Sequence, residues 1–375
     1  MGKIYTSLGL MSGTSMDGVD VSIIKSDGKQ EFETILDKYF EYDDEIYQEL
    51  INIRSKITSI DDLDIHSKLI KKLERKITLF HATISKEVLG SCPLDIDLIG
   101  FHGQTIFHKV TQKVTRQLGD GNLLSSLLKK KVIYNFREND MVNEGQGAPL
   151  APIFHYLLVN QNNINLPVCI LNIGGITNIT IIPTNKTTDL KSYDVGPGNC
   201  LIDEWIRKNT KKKYDTGGKL AKLGKTDEII LKQGIENFKN IKNKKDLSFD
   251  VKDFDLNFVS QLSLKDGLAT LVNFTATIIS EAIINSISIK KDKKLSILIC
   301  GGGRKNLTLI NNIKKKLPNN IKLDLIDDYN INGDYVESQA FAYLAIRSYL
   351  KLPISFPLTT NVNVPCTGGV LAENY

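Results

Sequence analysis

LGLMSGTSMDGVD, Leu8–Asp20, decides how this chain is read. An apolar run enters a turn of small and hydroxyl residues, then re-emerges as a second apolar run, Val19–Ile24. Gly13 and Gly18 have no side chain, which lets the backbone approach a bulky anion. Ser12, Thr14 and Ser15 add hydroxyl donors, and Asp17 and Asp20 are acids where a metal–phosphate complex would need them. Backbone N–H groups in such a turn form an anion-binding concavity. An ordinary hairpin closes with about two to five residues and has no use for so many glycines, hydroxyls and acids together.

The pattern returns roughly 150 residues later. VCILNIGGITNITII, Val168–Ile182, is again strand, Gly-rich turn, strand, which implies two domains of related architecture. Each half continues into alternating strands and helices, the signature of an α/β fold. A third Gly-rich turn, Gly301–Gly303, closes the strand expected at Leu295–Cys300, and Arg304–Leu317 reads as a helix. A polar helical region is expected from Asp43 to Leu89, with Leu63, Ile65, Leu69, Ile70 and Leu73 on one face. Leu94–Phe101 reads as a strand ending in a loop, His102–Thr105. Val132–Phe136 reads as a strand that delivers Arg137–Asp140 and then the loop Gly145–Ala148. Glu337–Leu350 is the last strong helix, and Pro353–Tyr375 is loop-like.

Bulk properties narrow the class. A length of 375 residues suits two domains, and 41% hydrophobic with 24% charged content is that of a globular protein. The 48 basic residues are nearly matched by 43 acidic ones, for a net charge of +5. The lysine runs Lys211–Lys213, Lys290–Lys294 and Lys314–Lys316 lack interleaved aromatics, so no nucleic-acid partner is expected. Cys92, Cys169, Cys200, Cys300 and Cys366 are odd in number and widely spaced, which fits reduced thiols in the cytoplasm. No stretch approaches the ~18 apolar residues of a membrane span, and no leader is recognised, so no membrane partner is expected. Met1-Gly2…Thr6 matches a myristoylation pattern, taken as accidental because a strand begins at once. Gly218–Thr226 resembles a P-loop, but its spacing is one residue too long and no strand precedes it.

Three Gly-rich turns at strand ends suit a nucleotide split between two domains, with two hairpins for phosphates and a third junction for the nucleoside. Asp140, beside Arg137 at a strand end, is placed either to act as a general base or to fix the loop as an Arg–Asp pair. Spacing alone does not choose. His102, Gln104 and Thr105 are suitable sugar-binding donors and acceptors, whereas His102 and His108 are poorly spaced for a metal. The loop Asp194–Asn199 either faces a metal–phosphate complex or caps the helix expected near Leu201. Glu337 opens the last helix, where the helix dipole favours an acid.

In order along the chain, MSGTSMDGVD (Met11–Asp20), GFHGQTIFH (Gly100–His108), GDGN (Gly119–Asn122) and FRENDMVNEGQGAPLAP (Phe136–Pro152) are followed by NIGGITNIT (Asn172–Thr180), DVGPGN (Asp194–Asn199), CGGGRKN (Cys300–Asn306) and ESQAFAYLA (Glu337–Ala345). With these motifs the chain closely resembles the anhydro-N-acetylmuramic acid kinases. The resemblance implies a two-domain α/β fold of the actin-like/hexokinase-like ATPase type, with duplicated β-hairpin phosphate loops and ATP in an interdomain cleft. The expected domains are 1–131 with 336–375, and 132–335, the second carrying the base loop and nucleoside site. It implies a cytoplasmic, usually homodimeric enzyme of peptidoglycan recycling. The implied reaction joins ATP, 1,6-anhydro-N-acetylmuramate and water to give N-acetylmuramate 6-phosphate and ADP.

By the same resemblance Asp140 would activate the water, with Glu337 near the reacting centre. Gly13, Thr14, Ser15, Met16, Asp17, Gly18, Val19 and Asp20 would contact the ATP phosphates, and Asp17 would touch Mg²⁺. Gly174 and Gly175 would form the second phosphate hairpin, and Gly301, Gly302 and Gly303 with Asn306 would sit near the nucleoside. His102, Gln104, Thr105 and Arg137 would line the sugar site. The rivals are a kinase of the same fold acting on another amino sugar, and a non-catalytic nucleotide-binding regulator. Three positions draw notice: Glu144 adds a charge near the base, Gly121 stands where the family often has proline, and Asn172 replaces the wider superfamily's aspartate.

Overall fold

The apolar runs on either side of the first Gly-rich turn form strands β1 (Tyr5–Ser12) and β2 (Gly18–Ser26), antiparallel from Tyr5↔Ser26 to Met11↔Asp20. The computed structural model describes residues 2–242, 248–286 and 294–375; most of the lysine run at 290–294, and Met1, lie outside them. Strand β3 (Phe32–Glu41) pairs antiparallel with β2. On the other side of β1, β4 (Leu98–Lys109) pairs in parallel, and its far end pairs antiparallel with β5 (Val114–Leu118). Strand β6 (Lys131–Tyr134) is parallel to β4, and the short strand Val370–Ala372 closes that edge.

A second sheet follows. It contains β7 (Val168–Ile173), β8 (Ile176–Ile182), β9 (Lys191–Pro197), β10 (Leu295–Cys300) and β11 (Ile321–Leu325), in the order β11-β10-β7-β8-β9. β7 is antiparallel to β8 and parallel to β10, which is parallel to β11. In the first sheet the order is β6-β4-β1-β2-β3, so each central strand has the same neighbours in the same senses. The repeated hairpin seen in the sequence is a repeated sheet. This is the α/β topology that the actin-like and hexokinase-like fold class requires.

The chain forms two compact units. One runs to Ile164 and takes in Asn185–Lys191 and Tyr335–Tyr375; the other is Asn165–Thr184 with Ser192–Asp334. The division expected at 131/132 therefore moves to 164/165. The reason is that β6 pairs with β4, and the helix Pro152–Gln161 sets Phe154 against Tyr343. Asp140 thus belongs to the first unit. Each unit has its own core, with Leu8, Leu10, Val21, Ile99 and Phe101 in the first and Leu171, Ile173, Trp205, Leu271 and Ile299 in the second.

In the first unit the helix Val336–Tyr349 lies directly on the central strands. Gly9 and Gly100 are register partners on β1 and β4. A Cβ on Gly9 would overlap the Ser338 carbonyl, and one on Gly100 the Phe341 carbonyl. Two glycines facing Ala342 and Ala345 therefore let helix and sheet backbones approach one another.

Four local expectations change. The Asp43–Leu89 region is three helices, Asp44–Lys56, Asp61–Ile65 and Ser67–Ser91, and the break at His66 leaves Ile65 exposed while Ile70 and Leu73 are buried. His102–Thr105 is strand, because β5 pairs with the outer half of β4. The tail contains the short helix Pro357–Thr360 and the strand Val370–Ala372. Finally, the helix Leu264–Ser286 does hold a stretch, Leu264–Asn285, long and apolar enough to cross a membrane, with mean hydropathy 1.5. Most of its apolar residues are buried within the protein, as in a core helix.

Candidate active site

Parallel strands deliver their C-terminal ends to one edge of a sheet, and ligand sites of α/β folds gather there. In the first unit β1, β4 and β6 do this. Ser12–Asp17 and Arg137–Gly147 lie at or beyond the ends of β1 and β6, and His102–Gln104 lies where β4 leaves its parallel pairing with β1 for β5. Ser12 and Gln104 are register partners. The Ser12 hydroxyl donates to Gln104 Oε1 (2.6 Å), and Gln104 Nε2 donates to the Gly13 carbonyl (3.0 Å). Tyr42 donates to Ser12 Oγ (3.1 Å), and the Arg54 guanidinium reaches the Thr14 carbonyl (2.9 Å). The hairpin turn is thus braced from below by side chains.

Its residues divide into two groups. Met16 and Val19 are fully buried core side chains, so only their backbones are available to a phosphate. Gly18 is packed against Tyr39 and the Phe40 carbonyl. Thr14 and Ser15 are exposed, and Asp17 and Asp20 half-buried, with Ser15 Oγ donating to Asp17 Oδ1 (2.5 Å). A Cβ placed on Gly13 would meet nothing within 4 Å. That glycine faces open space.

Asp140 sits on the short helix Glu138–Val142 rather than in a loop, and is only 1% exposed. Its Oδ2 accepts from Gly147 N (2.6 Å) and its Oδ1 from Thr360 Oγ1 (2.7 Å). A side chain on Gly145 would run into this carboxylate. Arg137 donates from Nη1 to the Gly147 carbonyl (2.7 Å) and from Nη2 to His102 Nε2 (2.9 Å). His102 Nδ1 lies 2.7 Å from the Gly103 carbonyl, so the ring is neutral with its proton on Nδ1. Burial, reinforced by the Arg137 charge, holds the His102 pKa well below the ordinary imidazole value.

Asp140, Gly147, Arg137, His102, Gln104 and the Gly13 turn therefore occupy one short stretch of connected backbone and hydrogen bonds. Gly147 links Arg137 to Asp140, its carbonyl accepting from the guanidinium and its N–H donating to the carboxylate. Gln104, expected to line a sugar site, is fully buried and its amide is engaged by the hairpin. Thr105 Oγ1 accepts from Gln117 (3.2 Å). Glu337 is half-buried in the first turn of its helix. Glu144 forms an ion pair with Lys113 at the surface. Gly121 leaves room for the Tyr134 ring, while Asp120 caps the helix Gly121–Leu128.

The second unit builds its turns differently. Gly198 N donates to the Gly175 carbonyl (2.9 Å) and Asn199 N to the Gly174 carbonyl (2.8 Å). The loop expected at Asp194–Asn199 is instead the end of β9, through Pro197, followed by Gly198 and Asn199, whose N–H groups brace the β7–β8 turn; the Asp194 carboxylate accepts from Phe249 N (3.0 Å). The register pair Cys300↔Asn172 sets Gly301–Gly303 beside that turn. Gly302 faces open space, whereas Gly301 and Gly303 are crowded by Asn172 and Ile173. Asn306 caps the helix Leu307–Lys316 through Leu309 N (3.1 Å). Arg304, which sequence reading did not single out, is 5% exposed and grips Asp327 (2.7 Å), Asp334 (2.6 Å) and the Gly301 carbonyl (3.1 Å). Only its place directly after three glycines could have drawn attention to it.

A model of the anhydro-N-acetylmuramic acid kinase family matches residues 5–374. The chain belongs to that family. It is 64% identical over 375 residues to the anhydro-N-acetylmuramic acid kinase of Pelagibacter ubique (strain HTCC1062), with all of both chains covered. It is 36% identical to the enzyme of that name from Methylobacterium nodulans, over 98% of this chain and 99% of the other. As an anhydro-N-acetylmuramic acid kinase family member the chain is a phosphotransferase of the sugar-kinase type. Among the described residues no group of three or more His, Cys, Asp or Glu could enclose a metal. Asp17 and Asp20 on the hairpin nevertheless suit Mg²⁺, which commonly takes one or two carboxylates together with substrate phosphates.

Proposed function

We propose that the protein opens 1,6-anhydro-N-acetylmuramic acid with water and phosphorylates O6 from ATP, giving N-acetylmuramate 6-phosphate and ADP. The observation that carries this reading is the buried Asp140 carboxylate, tied through Gly147, Arg137 and His102 to the strand that braces the Gly13 hairpin. A simple hexose kinase needs a base only to take a proton from a free hydroxyl. The anhydro sugar has no free O6, since that oxygen bridges to C1. Asp140 takes one proton from water while the water oxygen bonds to C1. The C1–O6 bond breaks, and O6 forms the new bond to the γ-phosphorus as ADP leaves. The proton on Asp140 passes to solvent.

In this reading the exposed N–H and hydroxyl groups of Gly13–Ser15 receive phosphate charge, with Met16, Gly18 and Val19 fixing the turn from within. Gly174, Gly175 and Gly301–Gly303 with Asn306 take further nucleotide contacts. Mg²⁺ held by the phosphates and Asp17 or Asp20 would neutralise charge on the transferring group. His102, kept neutral, and Arg137 hold the base loop and border the sugar, as does Glu337. Location in the cytoplasm, a homodimer and a role in peptidoglycan recycling belong to the same proposal.

Asp140→Asn should retain ATP binding and lose sugar phosphorylation; retained turnover removes Asp140 as the base. Turnover in ¹⁸O-water should place the label on C1 of the product. Label in the phosphate instead would reject ring opening by water.

A further inference from the structure

The segment after the last long helix returns to the site. Thr360 ends the short helix Pro357–Thr360, is 1% exposed, and lies 220 positions from Asp140 in sequence. We propose that Thr360 is a positioning residue whose hydroxyl aims the Asp140 carboxylate; this rests on the reading of Asp140 as the base.

Torsion about the bond to a carboxyl group is broad and roughly two-fold, so packing alone does not fix the plane of an aspartate. Two hydrogen bonds from different directions do. Gly147 N–H holds Oδ2, and the Thr360 hydroxyl holds Oδ1. Thr360 also accepts at its own carbonyl from Gln146 N (2.7 Å), so one residue binds both the carboxylate and the loop that carries Gly147. The strap is fastened again where Asn139 Nδ2 donates to the Thr367 carbonyl (2.5 Å). Cys366 Sγ stands 4.0 Å from the same Oδ1, too far to replace a hydroxyl. Gly145 offers no side chain on its side, since any Cβ there would meet the carboxylate. A base that must meet a water at a set angle loses rate once one of its oxygens swings free.

Thr360→Val keeps the shape and removes the donor. We expect kcat to fall about 10- to 100-fold, with both KM values within about two-fold. Thr360→Ser restores the hydroxyl and should recover most of kcat. Wild-type kcat in Thr360→Val, beside an inactive Asp140→Asn, overturns the positioning role while leaving the base in place. A fall that Thr360→Ser does not rescue, or one accompanied by a lower Tm and raised KM, makes Thr360 structural and also overturns it. An active Asp140→Asn removes the base, and the proposal with it.

Discussion

The two units share one strand order and support their turns by different means. In the first, a five-residue turn between Ser12 and Gly18 rests on side chains, namely Gln104, Ser12 and Tyr42. In the second, the Gly174-Gly175 turn rests mainly on backbone N–H groups from Gly198 and Asn199, with Asn199 Nδ2 adding a bond to the Gly174 carbonyl (3.2 Å). A side-chain brace tolerates exposed, variable residues above it, which is where the hydroxyls and acids of the first turn stand. A backbone brace demands that no side chain intervene, and Gly198 has no room for one because a Cβ there would overlap the Gly174 carbonyl. Equal topology therefore does not mean equal sensitivity to change.

Acid should separate the units most widely. All five histidines lie in the first unit. Burial pushes His81 down to about 4 and His155 down to about 3, and holds His102 well below its ordinary value. Each folded pKa is thus below the unfolded value of about 6.5. As pH falls the unfolded chain takes up these protons first, so this stability is complete above about pH 6.5 and declines below it. At pH 5.5 His81 and His155 together cost on the order of 3 kcal/mol, and His102 adds in the same direction. In the second unit, burial raises Asp327 and Asp334, but Arg304 outweighs it and both end lowered. Their contribution persists until pH falls below about 3.8. Hydrogen exchange on the whole chain at pH 7.5 and 5.5, corrected for intrinsic rates, should show protection lost from the first unit. Equal losses in both would contradict the assignment.

Gly301→Ala should have the next largest effect. The residue has φ of +79°, and its Cβ would overlap Asn172 Oδ1 and meet the Ile173 carbonyl at 2.8 Å. We expect a loss of about 3 kcal/mol, from backbone strain and the clash together, read as a lowered Tm. A Tm equal to that of the parent would show that the second unit's turns yield more readily than their packing indicates.

Part of this contrast is legible in the sequence. The two hairpins, the α/β class and the strand-end position of Arg137 follow from alternation and Gly-rich punctuation, which are local signals. The reach of β4 through His102–Thr105 does not, because it depends on β5, which that reading did not pair with it. Nor does the domain boundary, since β6 is a short strand whose parallel partner lies roughly 30 residues earlier. The bonds from Thr360 to Asp140 and from Arg304 to Asp327 and Asp334 join remote segments, and no spacing rule reveals them. Periodicity puts Ile65 on one face with Ile70 and Leu73, but the helix ends at His66 and Ile65 is left exposed.

The smallest effect on stability, and the one that best isolates function from packing, belongs to Gly13→Val. Gly13 is absent from the positive-φ residues and its Cβ would touch nothing within 4 Å, so a β-carbon there requires no rearrangement of the turn. The neighbouring brace also survives, because Gln104 bonds the Gly13 carbonyl and not its side-chain position. Stability should stay within about 0.5 kcal/mol of the parent. If the open space is where phosphate oxygens meet the backbone, the isopropyl group occupies it, and calorimetry should record a sharp loss of ATP affinity at nearly constant Tm. Gly301→Ala would lower Tm whatever its effect on nucleotide, so only the pair of variants separates a glycine kept clear for a ligand from one that the fold itself requires. Unchanged ATP affinity in Gly13→Val would mean that the emptiness above the first turn has no bearing on phosphate binding.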